Sequence, residues 1–301
     1  MKNLINSTKT EWRVSYAVLV LPALALYLFV MAFPTIFSIV LSLTNYRGGP
    51  VFGNPNFGFA GFNAYSTVFA DPYFYISLKN NLLIVLISVF GQIPLGFTLA
   101  YILSRRLIKG TDFWQAVIYL PNVIAAVIIG ILFNRFFLSS ESLWMEVLRV
   151  FNPEAEFSLN KNPMLPVLAV ILWMYTGFYV IIFLANLQKI DVSVIEASKI
   201  DGASEMQTLR FIIIPALSGV IITCTILAIA GSLKSFDLIF SMTQGGPARR
   251  TSVLALFMYD KAFRGAPNYP VANAISTVMI MISFILIGIT KLVEKRFASE
   301  E

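Results

Sequence analysis

Histidine is absent from this 301-residue chain, cysteine occurs once, and charged residues make up only 13% of it. Each shortage removes a class of function. Without histidine there is no serine–histidine triad and no His-ligated metal centre, and Cys224, alone in an apolar run, supports neither a cysteine cluster nor an internal disulfide. No metal site and no catalytic residue is expected. The sequence also lacks any G-x-x-x-x-G-K-[ST] phosphate loop, so it carries no ATPase motif of its own. A soluble globular chain has about 25% charged residues, and half that fraction means that water is not the main solvent here.

What replaces charge is apolar length. Hydrophobic residues make up 57% of the chain and its mean hydropathy is +0.77. Because a helix in lipid must satisfy its own backbone hydrogen bonds, about 20 apolar residues suffice to cross the hydrocarbon once. Six such segments can be drawn: Val14 to Leu43, Leu82 to Leu103, Trp114 to Phe133, Met164 to Leu184, Phe211 to Leu233 and Val271 to Ile289. The expectation is an all-α integral membrane protein of about six transmembrane helices, a single transmembrane domain over residues 1–301. The polar stretch Met1 to Arg13 leads into an apolar run too long for a cleavable signal, which reads as a retained first helix with Pro22 and Pro34 as places to bend.

The formal charge of +6 does not point to nucleic acid, because the basic residues sit in short loops between apolar runs. Lys2, Lys9, Arg13, Arg105, Arg106, Lys109, Lys189, Lys199, Arg210, Lys291, Lys295 and Arg296 flank helix ends on the side that holds both termini, against ten basic residues spread over longer loops on the other side, which the positive-inside rule weights less and so makes the first side cytoplasmic. Residues 44–77 then form an extracytoplasmic loop. Its stretch Tyr46 to Tyr65, rich in Gly, Asn, Pro and aromatics, is either a cap over the bundle or a solvated connector.

One segment is unusual for a membrane chain. Residues 186–210, NLQKIDVSVIEASKIDGASEMQTLR, contain two S-x-x-E/Q capping signatures, Ser193 with Glu196 and Ser204 with Gln207, separated by Asp201-Gly202. Two short helices meeting at a glycine bend follow from that pattern. Helices so short are marginal alone, so Ile195, Ala197, Ile200, Ala203 and Met206 are expected to pack on something, either a partner or the membrane surface.

Glu196, Ala197, Asp201, Gly202, Ala203 and Pro215, in the spacing E-A-S-K-I-D-G-A-S-E-M-Q-T-L-R-F-I-I-I-P, resemble the EAA loop of bacterial ABC import permeases. Ser235 to Pro247, SFDLIFSMTQGGP, with Thr251 beyond it, resembles the sugar-importing branch related to the maltose permease, as do Gly61 to Tyr65, Leu120-Pro121-Asn122 and Leu187-Gln188. Asp191, Ser198 and Leu209 depart from the usual pattern, which more often has Pro, Ala and an aromatic there. The resemblance implies a type I ABC importer permease-like bundle in the bacterial cytoplasmic (inner) membrane, a transport subunit rather than an enzyme. It implies a second permease subunit in a heterodimer, two cytoplasmic ATPase subunits that bind the ATP and Mg, an extracytoplasmic substrate-binding protein and a sugar or oligosaccharide as cargo. One chain with one such loop does not itself distinguish heterodimer from homodimer. In it Glu196 would contact the ATPase, Gly202 would set the bend and Pro215 would cap the entry into the fifth helix.

For the substrate, aromatic faces and neutral polar groups near the midplane are the natural recognition set. Trp173, Tyr175 and Phe178 on the fourth segment, Ser232 and Ser235 at the end of the fifth, and Asn122 are the candidates, with Asn80, Asn81 and Gln92 as further polar groups. Each is also explicable as an interface anchor or as a hydroxyl bonded within its own helix. Lys234 and Asp237, three apart, are spaced to pair on one helix face. Two other readings stand beside the sugar importer. One is an importer of a polyol phosphate or osmolyte, and the other an ion-coupled secondary transporter, which the near-absence of charge within the segments disfavours.

Overall fold

The computed structural model describes residues 18–50, 57–138 and 162–298, with residues 16, 53, 146, 147 and 150 in addition. Val14, Met1 to Arg13 and their expected polar entry lie outside the described residues. Among the described residues four helices are long and apolar enough to cross a membrane: α1 (Val18–Ser42), α3 (Pro72–Ser104), α6 (Met164–Leu187) and α12 (Tyr269–Ala298). Two further spans are bent pairs. Helices α4 (Thr111–Val123) and α5 (Ala126–Phe133) meet at 89°, and α8 (Glu205–Ala216) and α9 (Ser218–Leu233) at 65°. Shorter helices fill the connections: α2 (Asn63–Ala70), α7 (Val192–Ile200), α10 (Asp237–Thr243) and α11 (Leu254–Phe263). This is a multi-pass, all-helical membrane protein; six spans result when each bent pair counts once.

The chain divides into two compact units. The first holds α1, the following loop, α2 and Lys261–Thr277. In it the loop is pinned by an antiparallel bridge between Thr44 and Phe59, with Asn45 Oδ1 accepting from the Gly58 N–H at 2.7 Å, and by Ser42 bonding Tyr65 at 2.7 Å. The loop is shorter than the expected 44–77, because Asp71 caps α3 by accepting from the Tyr73 N–H at 3.0 Å and Pro72 follows at the first helical position.

The second unit, Asp71–Asp260 with Val278 onward, contains the main core. Helix α3 begins ten residues before the expected Leu82, since Lys79, Asn80 and Asn81 read as a polar loop but lie inside the helix with both asparagines buried. Ile93, Ala100 and Leu103 of α3 pack on Tyr179, Val180, Phe183 and Leu187 of α6. Close backbone approach governs the other face of α6. A Cβ at Gly177 would collide with the carbonyl oxygen of Ile118 in α4, so only glycine lets these helices meet.

Three spans share a local device. A five-residue π turn precedes Pro34 (Leu28–Ala32), Pro94 (Ser88–Gln92) and Pro215 (Leu209–Ile213). In each, the N–H of the residue just before the proline reaches back five positions, to Leu28, Ser88 and Leu209 respectively. Proline has no N–H and its ring crowds the carbonyl four residues earlier, and widening the preceding turn relieves both problems. Of the expected bends in the first span, Pro34 therefore has a structural correlate, whereas among the described residues no π turn precedes Pro22.

Replacing Gly177 with alanine should lower the stability of the purified protein by about 1–3 kcal/mol, the range for forcing volume into a packed contact. Thermal unfolding in mild detergent measures it; an unchanged or raised midpoint would show that α4 and α6 do not approach there.

Candidate functional site

Two arrangements stand out, a bent knob between α6 and α9 and a cavity among α3, α4, α6, α9 and α10. The knob is built by capping. Asp191, not the expected Ser193–Glu196 box, starts α7: its Oδ1 accepts from the Ser193 N–H at 2.9 Å. An aspartate two residues earlier wins that position, which leaves Ser193 inside the first turn. The Ser193 N–H, and secondarily the Ser193 hydroxyl, hold the Asp191 carboxyl below its ordinary range. At the other end Gly202, at φ +80°, stops α7: the N–H of Gly202 bonds Lys199 O at 3.1 Å and that of Ala203 bonds Ser198 O at 2.9 Å. Ser204 and Gln207 then form the expected reciprocal capping box, at 3.3 and 2.8 Å.

A buried bond locks the two helices of the knob together. Ser198, a departure from the usual alanine, places its hydroxyl 3.0 Å from that of Thr208, and both are buried. Outward, Glu196, Ala197 and Asp201 are exposed and Ala203 is half-buried. The exposed apolar surface consists of Ile200 (86%), Met206 (69%), Val192 and Val194, while Ile195 turns partly inward. Pro215 lies at the base of the knob, two residues before Leu217, where α8 bends into α9. A shallow hollow of about 310 Å³ lies beside the bend, lined by Asp201, Gly202, Ala203, Gln207, Thr208 and neighbours.

The cavity, about 370 Å³, gathers five of the six expected pathway residues: Asn122, Tyr175, Phe178, Ser232 and Ser235. Trp173 is not among them. On α6, Ile171, Tyr175, Phe178 and Tyr179 share the face toward the cavity, and residue 173 is rotated by about 200° from 171 at 100° per residue. Trp173 instead is half-exposed and meets the Phe133 ring edge-on at 5.5 Å. From α3 come Ile84, Ser88 and Gln92, spaced by four. Ser88 and Tyr179, unnoticed in the sequence, could have been found from that spacing once Gln92 was singled out.

Hydrogen bonds tie the cavity wall to its surroundings. Gln92 Nε2 donates to Ile171 O at 2.8 Å, and the Ser232 hydroxyl to that of Ser88 at 3.2 Å. Behind them Asn81 is a double latch: its Nδ2 donates to Ser232 O at 2.9 Å and its Oδ1 accepts from the Leu254 N–H at 2.7 Å. Asn80 donates to the carbonyls of Arg250 and Ser252, both at 2.8 Å. Thr251 is buried, with its hydroxyl oxygen 2.7 Å from Thr243 Oγ1 and 2.8 Å from Gly246 O, one of which accepts its single proton, and these contacts close the loop after α10. Lys234 and Asp237 also line the cavity, but they do not pair on one helix face as expected. Helix α9 ends at Leu233 and α10 starts at Asp237, so a helix break separates them.

The family described as binding-protein-dependent transport system inner membrane component matches residues 92–299. Among curated relatives, a lactose transport system permease protein of Rhizobium radiobacter is 30% identical over 286 residues, covering 93% of this chain and 94% of that one. A multiple sugar-binding transport system permease protein of Streptococcus mutans is 30% identical over 269 residues, 89% of each chain. A chain in a crystal structure of a bacterial alginate ABC transporter, in complex with an alginate pentasaccharide-bound periplasmic protein, has the same fold, with a TM-score of 0.80 at 21% identity over 97% of both chains.

Truncating Asn81 to alanine should destabilise the purified protein, because the buried Leu254 N–H loses its partner at a cost of about 1–3 kcal/mol, while the Ser232 carbonyl keeps the Ser235 N–H; a thermal midpoint equal to wild type would remove the latch. The Asp191 cap has a definite pH sense. With its carboxyl depressed in the folded state, its contribution is complete above the unfolded-state pKa and is lost as pH falls through the folded-state value. The exchange protection of the Ser193 amide should fall on acidification in wild type, and the Asp191→Asn variant should lack that dependence.

Proposed function

The chain belongs to the family of binding-protein-dependent transport system inner membrane components, and we propose that it is the permease subunit of an ATP-driven importer that moves a sugar or oligosaccharide inward. The observation that carries the importer reading is the knob: two capped helices, locked by Ser198 and Thr208, that present exposed Ile200 and Met206 beside Glu196. Isolated helices as short as α7 and α8 are marginal in water without packing, and a rigid apolar projection is built to enter a groove on another protein. Its partner in this reading is a cytoplasmic ATPase, two copies of which bind ATP and Mg outside this chain.

The sugar assignment rests on the named cargo of the lactose and multiple-sugar relatives and on the chemistry of the cavity. Tyr175 and Phe178 offer ring faces to the apolar side of a pyranose, and Asn122 and Ser235 offer neutral hydrogen-bonding groups for its hydroxyls. At about 370 Å³ the cavity is at the small end of ligand sites, suited to one or two rings at a time. A second, different permease would complete the pathway, an extracytoplasmic binding protein would deliver the cargo, and both termini would lie in the cytoplasm with the knob.

In this reading Glu196 makes a charged contact with the ATPase, Ala197, Ala203 and Gly202 shape the bend, and Pro215 sets the joint with α9. Purifying the tagged wild-type chain from its native membrane in mild detergent should recover an ATPase and a second permease by mass spectrometry. Glu196→Ala should cut ATP-driven uptake at least about tenfold, since removing one member of a buried interfacial charge pair costs about 2–5 kcal/mol. Recovery of the chain alone, transporting under an ion gradient without ATP, would replace the importer by a secondary carrier.

A further inference from the structure

The helix break between α9 and α10 places two full charges of opposite sign in the cavity wall. Lys234 and Asp237 are both exposed rather than buried in packing, and among the described residues no ion pair neutralises them. The other polar lining groups are neutral: hydroxyls of serine and tyrosine and amides of Gln92 and Asn122. Of these, Gln92 Nε2 and the Ser232 and Ser88 hydroxyls are already committed to protein partners. The strongest uncommitted donor and acceptor facing a solute are therefore the Lys234 ammonium and the Asp237 carboxylate.

We propose that Lys234 and Asp237 together make this cavity selective for net-neutral saccharides, against solutes that carry a carboxylate or phosphate; this rests on the cavity being the sugar pathway. A neutral sugar satisfies both charges at once. Its hydroxyls donate to the carboxylate and accept from the ammonium, and hydrogen bonds to ionised groups are about twice as strong as neutral ones. An anionic solute gains Lys234 only by bringing its own charge beside Asp237 within the same small volume. It also surrenders its hydration on entry, and the repulsion and lost hydration together offset the attraction. Asp237 has a structural role as well, as the acid in the first turn of α10. That role alone would affect stability without altering the choice between neutral and acidic solutes.

The purified importer complex in lipid nanodiscs, without its binding protein, can be probed by saturation-transfer-difference NMR with maltose, lactose and cellobiose on one side and digalacturonate and glycerol 3-phosphate on the other. Wild type should saturate at least one neutral disaccharide about tenfold more strongly than either anion, the scale of a single unfavourable charge contact. Asp237→Asn should reduce that ratio to about threefold or less, and Lys234→Gln should lower the neutral signal while leaving the anions excluded. Equal saturation of neutral and anionic probes in wild type, or a ratio that neither variant changes, overturns the selectivity. Absence of saturation by all five probes overturns the sugar pathway, and this inference with it.

Discussion

The amide of Asn81 is the contact on which the functional half of the molecule depends. It lies where α3 passes the end of α9 and the start of α11: its Oδ1 satisfies the Leu254 N–H, which no carbonyl of α11 can reach, and its Nδ2 adds a second donor to Ser232 O, which also accepts from the Ser235 N–H at 3.3 Å. In an apolar bundle every orphan backbone group costs several kcal/mol, so irregular backbone is tolerated only where such partners exist. The break from Lys234 to Phe236 is irregular backbone of that kind. Asn81 reaches the end of α9 beside that break through Ser232 O, while Asn80, bonded to Arg250 O and Ser252 O, and Ser77, 3.1 Å from the Ser252 hydroxyl, hold the irregular backbone before α11; the break itself brings charged side chains to a cavity. The polar groups of α3 are thus structural in one direction and enabling in the other.

Prolines pose a related problem, that of continuing a span past a residue with no N–H. At Pro34, Pro94 and Pro215 the π turn keeps hydrogen bonding continuous up to the residue before the proline. Two of these positions flank the functional regions directly: the turn before Pro94 contributes Ser88 and Gln92 to the cavity, and the one before Pro215 joins the knob to its span. A widened turn also rotates the side chains that follow it, so the face of a helix after such a proline cannot be extrapolated from the face before it.

That rotation explains much of what was legible and what was not. The number of apolar runs and the second capping box could be read because each depends on neighbours within a few residues. Bends of 89° and 65° inside two of those runs could not, because hydropathy continues unbroken across Ile124-Ala125 and Leu217. The start of α3 was hidden by Lys79-Asn80-Asn81, whose polarity suggests a loop until tertiary partners 150 and more residues away are known. Trp173 shows a simpler failure: proximity in sequence to Tyr175 suggested a shared role, yet helical rotation places the two on different faces. Ser198 looked like a loss from the EAA pattern and is instead half of the bond that stiffens the knob.

The stiffness matters because of how the knob is attached. Helix α9 begins directly after Leu217 and ends at the cavity wall, and its 16 residues span about 24 Å at 1.5 Å per residue. A displacement applied to the knob has two ways to be absorbed, by flexing at Leu217 or by carrying α9 with it. Leu217 is buried, and its N–H is shared between the carbonyls of Ile213 and Ile214 at 3.1 Å each. Flexing there would break a buried bond and expose an apolar side chain, whereas carrying α9 along strains the bonds of Ser232 to Asn81 and Ser88 at its far end. In an importer whose ATPase acts on the knob, a rod so anchored transmits the displacement to that end. Its far end carries Ser232, and beyond it Lys234 and Asp237, so the groups that hold a solute would be those displaced when the knob moves.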